Sequence, residues 1–184
     1  MLQNLGNTSG QIQSLKNYNY ETLRDWFFLL DKLDPISDAN PLLAAYYFGA
    51  VTDADKLNYV FDYLAVVGQR PIGEKWRWLG HAVFLARHIV KDDEKALELA
   101  YLLASNPSPD LGDWAKQMPA FILAKRGNKG DTREAFDIMM TMLINNVDTL
   151  HPNEINFMTD YICNTILKDD NTIKKPEFCG SLIP

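Results

Sequence analysis

Cysteine is scarce: the 184-residue chain has two, Cys163 and Cys179, with no CxxC spacing. That excludes a disulfide framework and a thiolate metal cluster, and it leaves one bridge as an option confined to an oxidising compartment. Cys163 falls in a helical stretch and reads as a small buried hydrophobe, whereas Cys179 falls in the tail and reads as exposed. Long apolar runs are missing too. No window approaches the roughly 20 apolar residues of a membrane helix, so no membrane insertion is expected. The polar first residues, Met1 to Lys16, have neither the basic start nor the apolar stretch of a signal peptide. Basic residues are in the minority, with 18 Lys+Arg against 24 Asp+Glu and a net charge of −6. A nucleic-acid binder needs a basic face for phosphates, so that class is excluded.

What is present is apolar and aromatic. Residues of the AVILMFWYC set make up 47% of the chain, with 4 Trp, 8 Tyr and 9 Phe, which excludes wholesale disorder. The apolar spacing is helical almost throughout. Tyr20, Leu23, Trp26, Phe27, Leu30 and Leu33 form one stripe, and Asp34-Pro35 ends it. Further helices are expected over about 41–50, 53–67, 74–91, 92–104, 113–125, 131–145 and 152–167. Gly68, Pro71, Gly73, Pro107, Pro109, Gly127 and Gly130 mark the breaks. Pro119 is expected to kink the sixth helix or delay its regular start.

The chain also repeats itself with a period near 38. Trp76 matches Trp114, Ala82 matches Ala120, and Leu85-Ala86 match Leu123-Ala124, each 38 apart. Asp53, Asp92 and Asp131 recur at 39, as do Leu57, Ala96 and Ala135. Periods of 20–50 residues mean stacked supersecondary units, here a pair of antiparallel helices whose apolar faces are covered by the next pair.

Trp76-x-x-Leu79-Gly80, then Ala96 and Pro107, resembles the tetratricopeptide motif, and Leu33-Asp34-Pro35 resembles its unit ending. Trp114, Phe121, Ala135 and Met139 form a second, weaker copy. Val83 stands where an aromatic is expected, and the period is longer than that family's. The resemblance implies an all-α, right-handed α-α superhelix of about three to four helix pairs over residues 18–168. Residues 1–17 would then be a flexible leader and 169–184 a loose C-terminal tail. The layout is also similar to bacterial repeat proteins that carry a membrane anchor before the repeats. As given, the chain reads as soluble and cytoplasmic, becoming periplasmic and anchored if an upstream segment belongs to it.

No GxSxG, Walker loop, HExxH or dinucleotide fingerprint occurs, so no catalytic residue, metal ligand or cofactor is nominated. His81 and His88 share a helix face but stand roughly 10 Å apart, too far for one metal. His151 precedes Pro152 and suits a cap. The acids Asp92, Asp93 and Glu94 suit a helix start rather than a catalytic cluster. The turn Lys125 to Asp131 lacks the ending of a phosphate loop, and Asp169-Asp170-Asn171 lacks the glycine of a calcium loop.

One charge contrast stands out. Between Glu74 and Lys91 there are four basic residues and one acid, whereas between Asp92 and Ala115 there are six acids and one lysine. The resemblance implies that first helices line a concave groove, with Tyr46, Tyr47, Arg77, His81, Phe84, Lys116 and Ile122 as contacts for a protein or peptide partner. An acidic or carboxylate-ended peptide would suit Arg77 and His81. The reading is therefore a non-enzymatic interaction or scaffold module. Two alternatives are a subunit self-associating weakly through Met139, Met140, Met142 and Leu143, and an enzyme of unrecognised type.

Overall fold

The computed structural model describes residues 14–181, and no strand occurs among them. Most of the expected leader lies outside the described residues; its last part, Leu15–Asn17, forms a single 3-10 turn. Helix α1 spans Tyr20–Leu33, and α2 runs Ala39–Leu42, widens into a π turn at Leu43–Tyr47 and closes with a 3-10 turn at Phe48–Ala50. Helix α3 is Ala54–Gly68, and α4 is Trp76–Phe84 with a π continuation, Leu85–Val90. Then follow α5 (Asp93–Ala104), α6 (Asp113–Arg126), α7 (Lys129–Asn146), α8 (Pro152–Tyr161, continued by a π turn Ile162–Ile166) and the short α9 (Phe178–Ser181).

Local chemistry explains the starts. Asn19, Asp53, Asp92 and Asn128 each accept, through the side chain, the amide hydrogen three residues on, at the heads of α1, α3, α5 and α7. Each such cap satisfies an orphan N–H and contributes about 1 kcal/mol. His151 caps α8 in the same manner, its Nδ1 accepting from the Asn153 amide. Gly127, at φ 70°, turns the chain from α6 towards α7.

Several side-chain hydrogen bonds between distant residues fall at separations of 37 to 39. Lys75 Nζ donates to the Ser37 carbonyl (2.6 Å, 38 residues apart), and Asn106 Nδ2 donates to the Gly68 carbonyl (2.7 Å, also 38 apart). Arg70 pairs with Asp31 at a separation of 39, and Gln117 donates to Glu154 at 37. These separations are compatible with a helical repeat of that period.

The chain divides into two compact units, Met1–Ala115 and Lys116–Pro184. In the first, α3 packs against α1 and α4, and α4 against α5. Leu57, Phe61, Leu64 and Val67 of α3 are fully or nearly fully buried, as are Leu79 and Ala82 of α4 and Leu99 and Leu103 of α5. Each large buried side chain contributes about 1.5–3 kcal/mol of hydrophobic stabilisation. Phe27, Phe48 and Tyr63 interlock beside them, with ring centroids 5.6 Å (Phe27–Phe48) and 5.1 Å (Phe27–Tyr63) apart. Tyr20 donates to the Phe48 carbonyl at 3.0 Å. Burial, with the charge of Asp53 and the neighbouring Tyr47, pushes its hydroxyl up to about 12.

In the second unit α7 packs against α8 and its π continuation, and Phe121 of α6 meets Tyr161 of α8 at 5.1 Å. Pro119 does not delay α6, which begins at Asp113 and runs through it to Arg126. A proline removes one backbone donor and crowds the preceding turn, and here its ring is buried, so packing offsets the loss. The stretch after α8 is also not loose. Ile173 is buried, α9 packs on α8, and Cys163 and Cys179 are bridged with Cα atoms 5.5 Å apart. Cys163 itself is buried, as its helical setting suggested.

The bridge closes a loop with a sequence separation of 16, for which chain entropy gives about 3 kcal/mol. Reduction, or Cys179→Ser, is therefore expected to lower the stability of the second unit by about that amount in urea titrations. A change below about 0.5 kcal/mol would show that the packing around Ile173 holds the tail unaided.

Candidate functional site

Helix α4 shows where the surface departs from an ordinary solvated face. Trp76, Leu79, Ala82, Val83 and Ala86 turn inward and are buried. The opposite face should then be charged. Instead it carries Trp78, His81, Phe84 and His88, at spacings of three, three and four, with Arg77 beside them. Tyr46, from the π turn of α2, joins this row, and four ring contacts, aromatic-to-aromatic or aromatic-to-imidazole, run along it.

The geometry is close. The Tyr46 ring lies 4.3 Å from His81 and stands edge-on to Trp78 at 6.5 Å. His81 is 5.7 Å from Phe84, which is 4.9 Å from His88. Across from them, Trp76 and Trp114 pack at 5.4 Å, and the edge of Trp114 sits over Gly80, where an added Cβ would meet it at 3.1 Å. Between these walls is an open cleft of about 680 Å³. Tyr46 and Phe84 are 62% and 49% exposed, so their rings are available to a ligand.

Polar groups hold the cleft in place. The Lys75 ammonium is buried beneath it and donates to Asp38 Oδ1 at 2.9 Å as well as to the Ser37 carbonyl. The Trp78 indole N–H donates to the same Asp38 oxygen at 2.8 Å, which sets that ring's orientation. Burial acts to raise the Asp38 carboxyl, but the hydrogen bonds from Lys75 and Trp78 and the Lys75 charge outweigh it and hold the group below the usual carboxylate range. Arg77 pairs with Glu74 at 2.7 Å and lies over the Trp76 ring, 5.5 Å from its centroid.

Partial burial lowers the His81 imidazole below its ordinary value, against the opposing hydrogen bond to the Ala45 carbonyl. The neutral form is thus favoured in the fold. The unfolded chain binds the extra proton more readily, so stability falls as pH drops below about 6.5 and levels off below the folded pKa. In His81→Asn this component should vanish. Urea midpoints at pH 7.5 and 5.5 would then differ less for the variant than for the parent, and an unchanged difference would remove His81 as its source.

Of the groove residues expected from the sequence, Tyr46, Arg77, His81 and Phe84 line this one cleft. Tyr47 does not; its ring packs edge-on against Phe48 at 5.0 Å. Ile122 is fully buried and belongs to the core of the second unit, so it presents no contact surface. Lys116 is exposed and belongs to that unit too. Met139 and Leu143, assigned to a self-associating face, are likewise buried, because the α7 stripe that holds them packs inward. The sequence reading missed Trp78, Asp38 and Glu74. Trp78 was legible from its spacing to His81, whereas Asp38 lies 40 residues before its indole partner and nothing local announces it.

The second unit has a smaller, polar recess of about 480 Å³ lined by Lys129, Thr132, Thr165, Asp169 and Asp170 among others. Asp170 is engaged with the amide and hydroxyl of Thr172, both at 2.6 Å. No group of three or more His, Cys, Asp or Glu side chains placed to hold a metal occurs among the described residues, and no described helix is long and apolar enough to cross a membrane. No protein-family model matches the chain, and no curated protein and no solved structure matches it either.

Proposed function

We propose that this protein is a non-enzymatic interaction module, a tetratricopeptide-like helical repeat whose first unit offers the α2–α4 cleft to a segment of a protein partner. The observation that carries this reading is the row of exposed and half-buried rings on α4 and Tyr46 where a solvated helix face would carry charge. Aromatic side chains supply large contact area at low entropy cost, and rings already fixed by Asp38 and by one another lose little freedom on binding. The recurrence of long-range hydrogen bonds at separations of 37 to 40 residues supports the repeat on which the reading rests.

The test is selection of peptides from a displayed random library on the whole chain, followed by affinity measurement on Tyr46→Ala and Phe84→Ala. Both residues are exposed, so the fold should survive, and each substitution is expected to weaken selected peptides by about tenfold. Selected peptides that bind both variants as tightly as the parent would place the interaction elsewhere.

A further inference from the structure

We infer that the anchor taken by this cleft is a cationic side chain, an arginine or lysine of a basic segment, seated where Tyr46 and Trp78 meet beside Asp38. The inference rests on the interaction-module reading and specifies its ligand. Three observations point the same way.

Ring faces are electron-rich and attract cations, and the cleft already holds one such contact, the Arg77 guanidinium over Trp76. The charges that face solvent there are unequal. Asp38 and Glu74 have side chains 63% and 55% exposed, whereas Lys75 is buried beneath the floor and leaves Arg77 as the one exposed cation among the lining residues. Finally, the first unit as a whole carries most of the chain's excess of acids, so its long-range field favours the approach of a basic segment, while the α4 segment itself is locally basic and the selectivity falls to Asp38 and Glu74.

An acidic anchor, the natural expectation from Arg77 in the sequence, meets an obstacle in the structure. It would have to displace Glu74 from Arg77 and approach Asp38, which is held ionised by Lys75 and Trp78. A guanidinium instead finds a carboxylate and two ring edges or faces within one small region, and no existing pair need break. Arg87 and His88 lie beyond the cleft lining, so the cation is placed at the Tyr46–Trp78 end rather than at the Phe84 end.

Labelled Gly/Ser peptides of equal length, bearing two arginines, two glutamates or two leucines, test this by fluorescence anisotropy against the whole chain. The arginine peptide is expected to bind about tenfold tighter than the other two. Tyr46→Ala and Glu74→Gln should each weaken it, whereas Asp62→Asn, which removes an exposed carboxylate that pairs with Arg24 rather than lining the cleft, should not. If the leucine or glutamate peptide binds best and Tyr46→Ala abolishes its binding, the cation assignment falls and the interaction module stands. If Asp62→Asn weakens the arginine peptide as much as Glu74→Gln does, the attraction is the general field and the site is overturned. If no peptide shows dependence on Tyr46, both readings fall.

Discussion

Arg70→Ala is expected to lower the stability of the first unit by about 3 kcal/mol, at the lower end of the range for breaking a buried ion pair. Asp31 sits on α1 with no exposed surface, and Arg70, just after α3, is its ion-pair partner. The Arg70 side chain remains 27% exposed, so water can reach part of the space it leaves, which is why the lower end applies. With the guanidinium gone, a fully buried carboxyl group beside Tyr63 is left without its ion-pair partner. Its second oxygen, Oδ1, already has no hydrogen-bond partner, and neither does the Tyr63 hydroxyl. That hydroxyl's pKa is raised, by burial first and by the Asp31 charge second, which is the electrostatic signature of their proximity.

The asymmetry between partners provides the check. Asp31→Leu with Arg70→Met replaces the pair by apolar groups and should recover most of the loss, since removing both charges leaves none stranded. Urea titration of the two single variants and the double variant decides it. A loss below about 1 kcal/mol for Arg70→Ala would mean that the pair is effectively solvated and worth no more than a surface bridge.

The second large effect concerns Gly68, the last residue of α3. A Cβ there would stand 2.6 Å from the Leu79 Cβ and 2.9 Å from its backbone nitrogen. Neither atom can swing aside as the tip of a side chain can, so α3 and α4 would have to part. Gly68→Ala is expected to cost about 2–3 kcal/mol, and Gly68→Val more. The separation would also strain the Asn106 hydrogen bond to the Gly68 carbonyl. Gly73→Ala is the control. Gly73 has φ 52° with nothing near its missing Cβ, so only the left-handed conformation is penalised, at about 1 kcal/mol. Equal melting losses for the two alanine variants would refute the close-approach account.

Gly68 illustrates what a sequence conveys and what it withholds. As a break after Val67 it was legible, because glycine ends helices for conformational reasons that are local. As the point where two helices nearly touch it was not, since Leu79 is its neighbour only in space. Pro119 shows the converse. Its local penalty is real, but burial of the ring in the folded chain outweighs it and α6 is uninterrupted. Cys163 and Cys179 likewise left pairing open until the path of the tail brought their Cα atoms within bridging distance.

For the site the division is similar. Residues within one helix share a face by spacing alone, so Arg77, His81 and Phe84, grouped in the sequence, also lie along one cleft. Tyr47 and Ile122 fall outside the cleft because adjacent positions on a helix point in different directions, and a contact list drawn from repeat correspondence carries no burial. The charge around Arg77 also reads differently once its neighbours are placed. Arg77 looks like an available cation in the sequence, but it pairs with Glu74 three residues before it, and the place of Asp38 beside Trp78 emerges only once α2 and α4 are side by side.

The all-helical class, the helix caps and the 38-residue period were determined by the sequence itself, because each depends on propensity, hydrogen bonding and apolar spacing within a few turns. The tertiary structure alone decided that the surface of α4 meets Tyr46 in an aromatic cleft with Asp38 at its edge. That arrangement joins residues 32 to 40 positions apart, and only the packing of α2 beside α4 brings such distances within reach.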